Sequence, residues 1–137
     1  MRLWHETLIP YLPRQQLLGQ HRECCALRGK GWGKEHSTVN YVFKYSPYYL
    51  YLYHMKIMEE MSHRGYNCDP LWHDKFYRGK QCNPYRHDQL GDFNSSASAS
   101  ELTIYPEHDQ TYLDECLSNL EDKGIQLNLN KTKTKHP

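Results

Sequence analysis

The sequence predicts a mainly α-helical protein, a compact bundle of about three helices connected by long irregular loops. Only six of the 137 residues are Val or Ile, the aliphatic residues that favour strands. Three segments repeat apolar residues at helical spacing, and each is followed closely by a glycine that can end a helix. Twelve Tyr and three Trp supply packing area that the scarce aliphatic residues do not. At this length we expect one domain, over residues 1–130.

The first helix is expected to span Arg14–Arg28, after an extended arm formed by residues 1–13. Pro10 and Pro13 interrupt the arm, and Pro13 can open the helix at its first turn. Gly29 is placed to end the helix. Its apolar positions can face a core, and they are Leu17, Leu18, Cys24, Cys25 and Leu27.

The second helix has the clearest boundaries. Ser46 is the expected N-cap, Pro47 occupies the first helical position, and the helix ends at Gly65. Before it lie a glycine-rich basic loop at residues 29–34, which lacks the spacing of a P-loop, and residues 37–44, which are either extended or a helical lead-in.

The remainder of the chain contains one more predicted helix, over residues 106–123. Its Leu113, Cys116, Leu117 and Leu120 share one face, and Gly124 follows. Residues 66–93 are polar, aromatic and rich in turns, and residues 94–100 have the composition of a flexible linker. We expect residues 131–137 to form a flexible basic tail.

Charge is distributed unevenly along the chain. Residues 1–87 carry 13 Lys and Arg against 7 Asp and Glu, whereas residues 88–137 carry 4 against 9. A basic, tyrosine-rich body suits a polyanion, because cations meet phosphates and aromatic rings meet bases; an ordinary mixed surface is the alternative. No signal peptide or membrane-length apolar run is visible, so we expect a cytoplasmic protein whose five cysteines are reduced thiols.

The first residue and one carboxylate form a candidate catalytic pair, Met1 and Glu23. An α-amine has a reference pKa about 2.5 units below that of lysine, so a much larger fraction is free base at neutral pH. A free amine attacks electrophilic carbon, and a nearby carboxylate can transfer the protons. If the fold brings the pair together, Schiff-base chemistry becomes possible.

Four features together resemble the pyrimidine-dimer DNA glycosylase family of the phage endonuclease V type, over roughly residues 1–67. These are the starting sequence Met-Arg-Leu-Trp, the His21-Arg22-Glu23 stretch, the polar aromatic residues 36–44, and the helix end at residues 64–67. The resemblance implies a compact all-α fold whose N-terminal arm is threaded against the first helix. It also implies an enzyme that kinks double-stranded DNA and flips a nucleotide out of the stack.

The resemblance further implies a DNA N-glycosylase with β-elimination (AP lyase) activity that needs no cofactor and no metal. The Met1 amine would attack the sugar C1′ and Glu23 would act as acid/base, while Arg2 and Arg22 would hold phosphates. In the family the nucleophile is a threonine exposed by removal of the initiator Met, and Ala26 stands where the family has a second arginine. We expect a monomer that removes a damaged or modified pyrimidine. Further predicted DNA contacts are His21, Lys30, Trp32, Lys34, His36 and Lys44.

Two alternatives remain open from the sequence. The first is a non-catalytic nucleic-acid-binding module of the same fold. The second is a small zinc-stabilised interaction protein, because zinc-ligand residue types occur in the turn-rich region, although their spacing matches no common zinc finger. Those residues are Cys68, His73, Cys82 and His87.

Overall fold

The structure is a computed structural model that describes residues 2–34, 39–93 and 103–127. Within these ranges it is helical and contains no strand, which confirms the predicted fold class. The described residues form four α-helices: α1 (Arg14–Arg28), α2 (Pro47–His63), the single-turn α3 (His87–Leu90) and α4 (Gln110–Asp122). Three short 3₁₀ helices occur as well, at Glu6–Tyr11, Asn40–Lys44 and Pro70–His73.

Helices α1 and α2 form the centre of the molecule and pack on each other more extensively than any other pair of elements. Leu17 and Cys24 of α1 and Leu50 and Ile57 of α2 are fully buried. The predicted bounds of α1 are confirmed, and α2 begins at Pro47 after the predicted N-cap Ser46. Residues 37–44 could be extended or helical from the sequence, and their described part contains the 3₁₀ helix Asn40–Lys44.

The N-terminal arm, residues 2–13, is only partly extended. Residues Glu6–Tyr11 form a 3₁₀ helix, so the expectation of an extended segment throughout was wrong. His5 caps this helix, with its Nδ1 atom accepting from the Thr7 amide at 3.2 Å. Pro10 lies inside it, because the φ of proline falls within the range of a 3₁₀ helix. The turn buries Leu8 and places the arm in the core.

The segment of residues 103–127 packs over the N-terminal arm. The Glu6 amide donates to His108 Nδ1 at 3.1 Å, and the Ile104 amide donates to a Glu6 carboxylate oxygen at 2.7 Å. The Tyr112 hydroxyl of α4 donates to the Leu3 carbonyl at 2.5 Å. The predicted third helix is present as α4, but it begins at Gln110 rather than at residue 106, because Asp109 caps it by accepting from the Tyr112 amide. Its contacts hold the start of the chain against the core.

Several expectations concern residues outside the described ranges, namely Met1, His36, the linker at 94–100 and the tail at 131–137. In the part of the chain that the structure describes, no helix has the length and apolar character required to cross a bilayer.

Candidate functional site

Glu23 lies on α1, half-buried, in an open cleft of about 300 Å³. We call this opening the Glu23 cleft, and it is lined by Trp4, Gln16, Gly19, Gln20, Arg22, Glu23 and Lys123. Among the described residues, Glu23 makes no ion pair. Its carboxylate is therefore available to a ligand that enters the cleft.

Gln20 holds the start of the chain at this cleft. Its side-chain Nε2 donates to the Arg2 carbonyl at 2.8 Å, and its Oε1 accepts from the Trp4 amide at 3.1 Å. The Tyr53 hydroxyl contacts the same Oε1 at 2.8 Å, so the amide of Gln20 is fixed from both sides. Gln20 is only 2% exposed and precedes Glu23 by three residues, which places both side chains on one helix face.

Arg22 and Gly19 form a second edge of the Glu23 cleft. Arg22 is exposed, and its guanidinium reaches over Gly19, where an added Cβ would lie 3.8 Å from the Arg22 Nη2 atom. The cleft thus joins one carboxylate, Glu23, to a cation that can contact a phosphate. A second cation, Lys123, comes from the end of α4.

Residues 1–74 match the model of a protein family described as pyrimidine dimer DNA glycosylase. The match spans more than half of the chain. This chain belongs to the pyrimidine dimer DNA glycosylase family. The resemblance inferred from the sequence is confirmed, and membership indicates DNA repair with DNA as the substrate. Neither a curated protein nor a solved structure matches the chain closely enough to add a named relative.

The glycosylase-family match ends before α3 and α4. Two residues that help to form the Glu23 cleft therefore lie outside the matched segment. Lys123 lines the Glu23 cleft, and Tyr112 holds the arm that forms one of its walls. Sequence reasoning missed Lys123, since an exposed lysine beyond a helix end has no pattern that distinguishes it. Gln20 had a visible signal, because it shares the polar stripe of Glu23 and Gln16 on α1.

We expect Gly19→Ala to stabilise the protein. Glycine inside a helix costs about 1 kcal/mol relative to alanine, and the new methyl group would make only an ordinary contact with Arg22. Thermal unfolding should shift upward by about 4 °C. Ala26→Gly, at an exposed position of the same helix, is the matched control and should shift it downward. A lower melting temperature for Gly19→Ala would contradict this account of the helix interior.

Arg2 points away from the Glu23 cleft in this member of the glycosylase family. Its guanidinium lies 5.8 Å from the centre of the Tyr112 ring and lines a separate cleft of about 400 Å³. That cleft also contains three carboxylates, those of Glu107, Asp109 and Glu115. The structure therefore does not bring Arg2 and Glu23 into one site, and the role of Arg2 in holding a phosphate stays a prediction.

His21 takes part in a hydrogen-bond network with α2. Its Nδ1 atom lies 2.8 Å from His54 Nε2, and Arg28 Nη1 lies 3.0 Å from His54 Nδ1. Because a guanidinium only donates, His54 Nδ1 must accept and His54 Nε2 must carry the proton. His54 therefore donates to His21. Burial lowers the pKa of both histidines, which keeps the pair neutral.

Cys25 completes a trio with zinc-ligand chemistry. The Cys25, His21 and His54 ligand atoms lie within 4.8 Å of one another. Coordination through His54 Nε2 would move its proton to Nδ1, which faces the Arg28 guanidinium. Burial also raises the Cys25 pKa to about 12, which favours the thiol over the thiolate that binds zinc. As folded, the trio is a hydrogen-bond network rather than a set of free ligands.

The zinc residues considered from the sequence are not brought together. Among the described residues, the trio just described is the one group of three or more possible ligands, and it contains none of those four. The Cys68 thiol instead contacts Met61 Sδ at 3.8 Å, and the His87 ring packs on Phe76 with centroids 4.8 Å apart. The structure gives no support to a zinc site in the turn-rich region.

The other predicted DNA contacts have different surroundings. The Trp32 ring is half-buried and packs edge-on against Phe43, with centroids 4.9 Å apart. Lys44 lies 3.8 Å from a Glu107 oxygen and keeps an exposed side chain. Lys30 and Lys34 are exposed and line one cleft at the end of α1. Their contacts with DNA stay predictions.

Acid should destabilise the protein, because two neutral histidines are buried. Burial lowers the pKa of His54 well below its usual value and that of His108 to about 3. In the unfolded chain both titrate near pH 6.5, so the unfolded state binds more protons as the pH falls below that value. We expect the free energy of unfolding to fall by about 2 kcal/mol between pH 6.5 and 5.5. Burial raises the pKa of Glu6, which offsets part of this loss.

Urea unfolding at the two pH values measures the effect. His108→Asn is the control, because its amide oxygen can still accept from the Glu6 amide while the titrating ring is removed. The pH-dependent loss should then be smaller by about 1 kcal/mol. Equal stability of the unmodified protein at both pH values would contradict the assignment of neutral buried histidines.

Proposed function

We propose that the protein is a DNA N-glycosylase with abasic-site lyase activity, which removes a damaged or modified pyrimidine. The Met1 α-amine is the nucleophile and Glu23 is the acid/base. One observation carries the proposal: Gln20 holds the Arg2 carbonyl at 2.8 Å on the face of α1 that bears Glu23. Membership of a DNA glycosylase family supports the substrate class.

We infer that the amine can reach the carboxylate from the position in which Gln20 holds Arg2. Met1 is bonded directly to Arg2, and neighbouring Cα atoms are about 3.8 Å apart. Glu23 follows Gln20 by three residues, which is about 4.5 Å along the helix axis. The proposal requires that residue 1 carries a free amine, and the experiment below tests this requirement directly.

The chemistry follows from these two groups. The amine attacks the sugar C1′ while the bond to the base breaks, and the base leaves with the electron pair and gains a proton. Loss of a proton from nitrogen and opening of the sugar ring give an imine. Removal of a C2′ proton by a base then allows the 3′ C–O bond to break, with the phosphate as leaving group. In this proposal Glu23 transfers these protons, and Arg22, which lines the same cleft, contacts the adjacent phosphate.

The proposal is tested by borohydride trapping of the imine that the protein forms with a DNA duplex containing an abasic site. Reduction of the imine should leave a stable secondary amine, seen as one covalent protein–DNA adduct that peptide mapping assigns to Met1. Acetylation of the Met1 amine should abolish the adduct while DNA binding persists. Absence of the adduct with folded protein would reject the amine mechanism, and salt-dependent binding without an adduct would favour the non-catalytic module.

The base that is removed can be identified with the same protein. Duplexes that each carry one lesion, including a cyclobutane pyrimidine dimer, should be compared for strand cleavage in single turnover. We expect cleavage at a pyrimidine lesion and none at an undamaged duplex of the same sequence. Cleavage confined to purine lesions would contradict the proposed substrate class.

A further inference from the structure

A basic cleft of about 500 Å³ opens beside the end of α1. Its walls are the loop of residues 29–34 and the loop of residues 78–82. Four cations line it, and none of its twelve lining residues is acidic: the cations are Lys30, Lys34, Arg78 and Lys80. A concave surface with charge of one sign concentrates a ligand of the opposite charge.

Arg78 joins the two walls. Its Nε atom donates to the Arg28 carbonyl at 2.8 Å and its Nη2 atom donates to the Gly29 carbonyl at 3.1 Å. The guanidinium also lies 4.4 Å from the centre of the Tyr85 ring. Arg78 is therefore occupied in building the cleft, and its charge adds to the potential inside it.

The three lysines remain available to a ligand. Lys30, Lys34 and Lys80 are exposed and make no ion pair within the described segments. The first wall is a tight turn, in which an added Cβ at Gly31 would lie 2.8 Å from the Ala26 carbonyl oxygen. The Gly31 amide donates to that same oxygen at 2.8 Å, which fixes the turn that carries Lys30.

The basic cleft lies next to the Glu23 cleft along α1. Ala26 lines the basic cleft, while Arg22 and Glu23 line the other. Ala26 follows them by four and three residues, so the three side chains are neighbours on the helix surface, with an axial step of about 4.5 Å from Glu23 to Ala26. Duplex DNA advances about 3.4 Å per nucleotide, so the adjoining edges of the two clefts are separated by one or two nucleotide steps.

We propose that the basic cleft binds the phosphodiester backbone of the DNA strand whose reacting nucleotide lies at Glu23. Lys30 and Lys80 contact phosphates of that strand beyond the reacting nucleotide, in the direction of the end of α1. The loop of residues 78–82 lies outside the segment that matches the family, so this contact belongs to the chain's own second half. The inference rests on the proposed function, since it takes the Glu23 cleft as the reacting site.

The test measures affinity for a duplex with a stable abasic-site analogue as a function of salt. Each lost phosphate contact should reduce the slope of log Kd against log salt by about 0.9, so the double variant Lys30→Ala/Lys80→Ala should lose about 1.8. Lys30→Arg/Lys80→Arg should restore the slope. Lys56→Ala is the control, because Lys56 lines a cleft with Glu59 and Glu60 on another part of the surface; its slope should not change.

The outcomes separate this inference from the proposed function. An unchanged slope in the folded double alanine variant overturns the basic cleft as a backbone site, even where the borohydride adduct forms normally. A reduced slope together with an unchanged adduct yield at saturating protein supports both proposals. A reduced slope with no adduct in the unmodified protein supports backbone binding by this cleft while the amine mechanism fails. Thermal unfolding of each variant verifies that it is folded.

Discussion

Glu23→Gln should lower the rate of abasic-site cleavage by about 10²–10⁴-fold, the range that general acid–base catalysis contributes. Glutamine keeps the size and polarity of the side chain and removes its capacity to accept a proton. Because Glu23 makes no ion pair in the described part of the chain, the variant should fold as the unmodified protein does. Its affinity for DNA should remain within a few-fold.

Single-turnover cleavage and equilibrium binding on the same abasic-site duplex separate the two effects. Glu59→Gln is the matched control, since Glu59 is an exposed carboxylate on α2 in a different cleft. Its rate should equal that of the unmodified protein. A Glu23→Gln protein that cleaves within threefold of the unmodified rate would remove Glu23 from the mechanism, whatever the result of the trapping experiment.

The sequence predicted the helices because the residues that start and end a helix lie within or next to that helix. The Pro47 start of α2 and the Gly29 end of α1 are examples, and both agree with the structure. The 3₁₀ helix at Glu6–Tyr11 was not foreseen. A six-residue helix has too few residues to show a helical repeat of apolar positions. Pro10 inside it and Pro13 after it therefore favoured the prediction of an extended arm.

The contact between the N-terminal arm and the segment of residues 103–127 had no local signal in the sequence. Glu6 and His108 are 102 residues apart and meet through a backbone-to-ring hydrogen bond. An apolar stripe on α4 predicts that it is buried, but the stripe does not name what it packs against. Glu23 was predicted from its order and spacing after the chain start, whereas the positions of Lys80 and Lys123 beside α1 are a result of folding that the sequence did not indicate.

Arg28 is another residue whose environment could not be predicted from the sequence. At the end of α1 it has the sequence position of a solvated cation that interacts with the helix dipole. It is 1% exposed in the structure, and its guanidinium donates to the carbonyls of Trp72 at 2.8 Å, Asp74 at 2.7 Å and Tyr77 at 2.9 Å. Nothing in the spacing of α1 distinguishes this buried arginine from an exposed one.

Arg28→Met should destabilise the protein by about 3–5 kcal/mol, because it leaves a buried network without its donor. The carbonyls of Trp72 and Tyr77 would lose their partner, as would His54 Nδ1, and each buried unsatisfied group costs about 1–3 kcal/mol. The Asp74 carbonyl would lose one of two donors and keep the Tyr77 amide at 3.0 Å. Partial relaxation of the loop keeps the total below the sum. Urea unfolding measures the loss, and Arg14→Met, at the exposed start of the same helix, should change stability by less than about 0.5 kcal/mol.

Arg28→Lys keeps the variant series interpretable if Arg28→Met does not fold. Lysine retains the charge, but one ammonium cannot reproduce the planar donor arrangement that reaches Trp72, Asp74 and Tyr77 at once. Its loss should therefore be intermediate. A lysine variant as stable as the unmodified protein would show that a positive charge, without the planar donor arrangement of the guanidinium, is sufficient for stability at this position.

The position of Arg28 also connects stability to the surface proposed for DNA. Its side chain fixes the loop at Asp74 and Tyr77, and its backbone carbonyl accepts from Arg78, which joins the walls of the basic cleft. Loosening this loop should displace Lys80 relative to Lys30. We therefore expect folded Arg28→Lys protein to bind the abasic-site duplex with a smaller salt slope while Glu23 chemistry at saturating protein is retained. An unchanged slope would mean that the loop holds its position without the guanidinium.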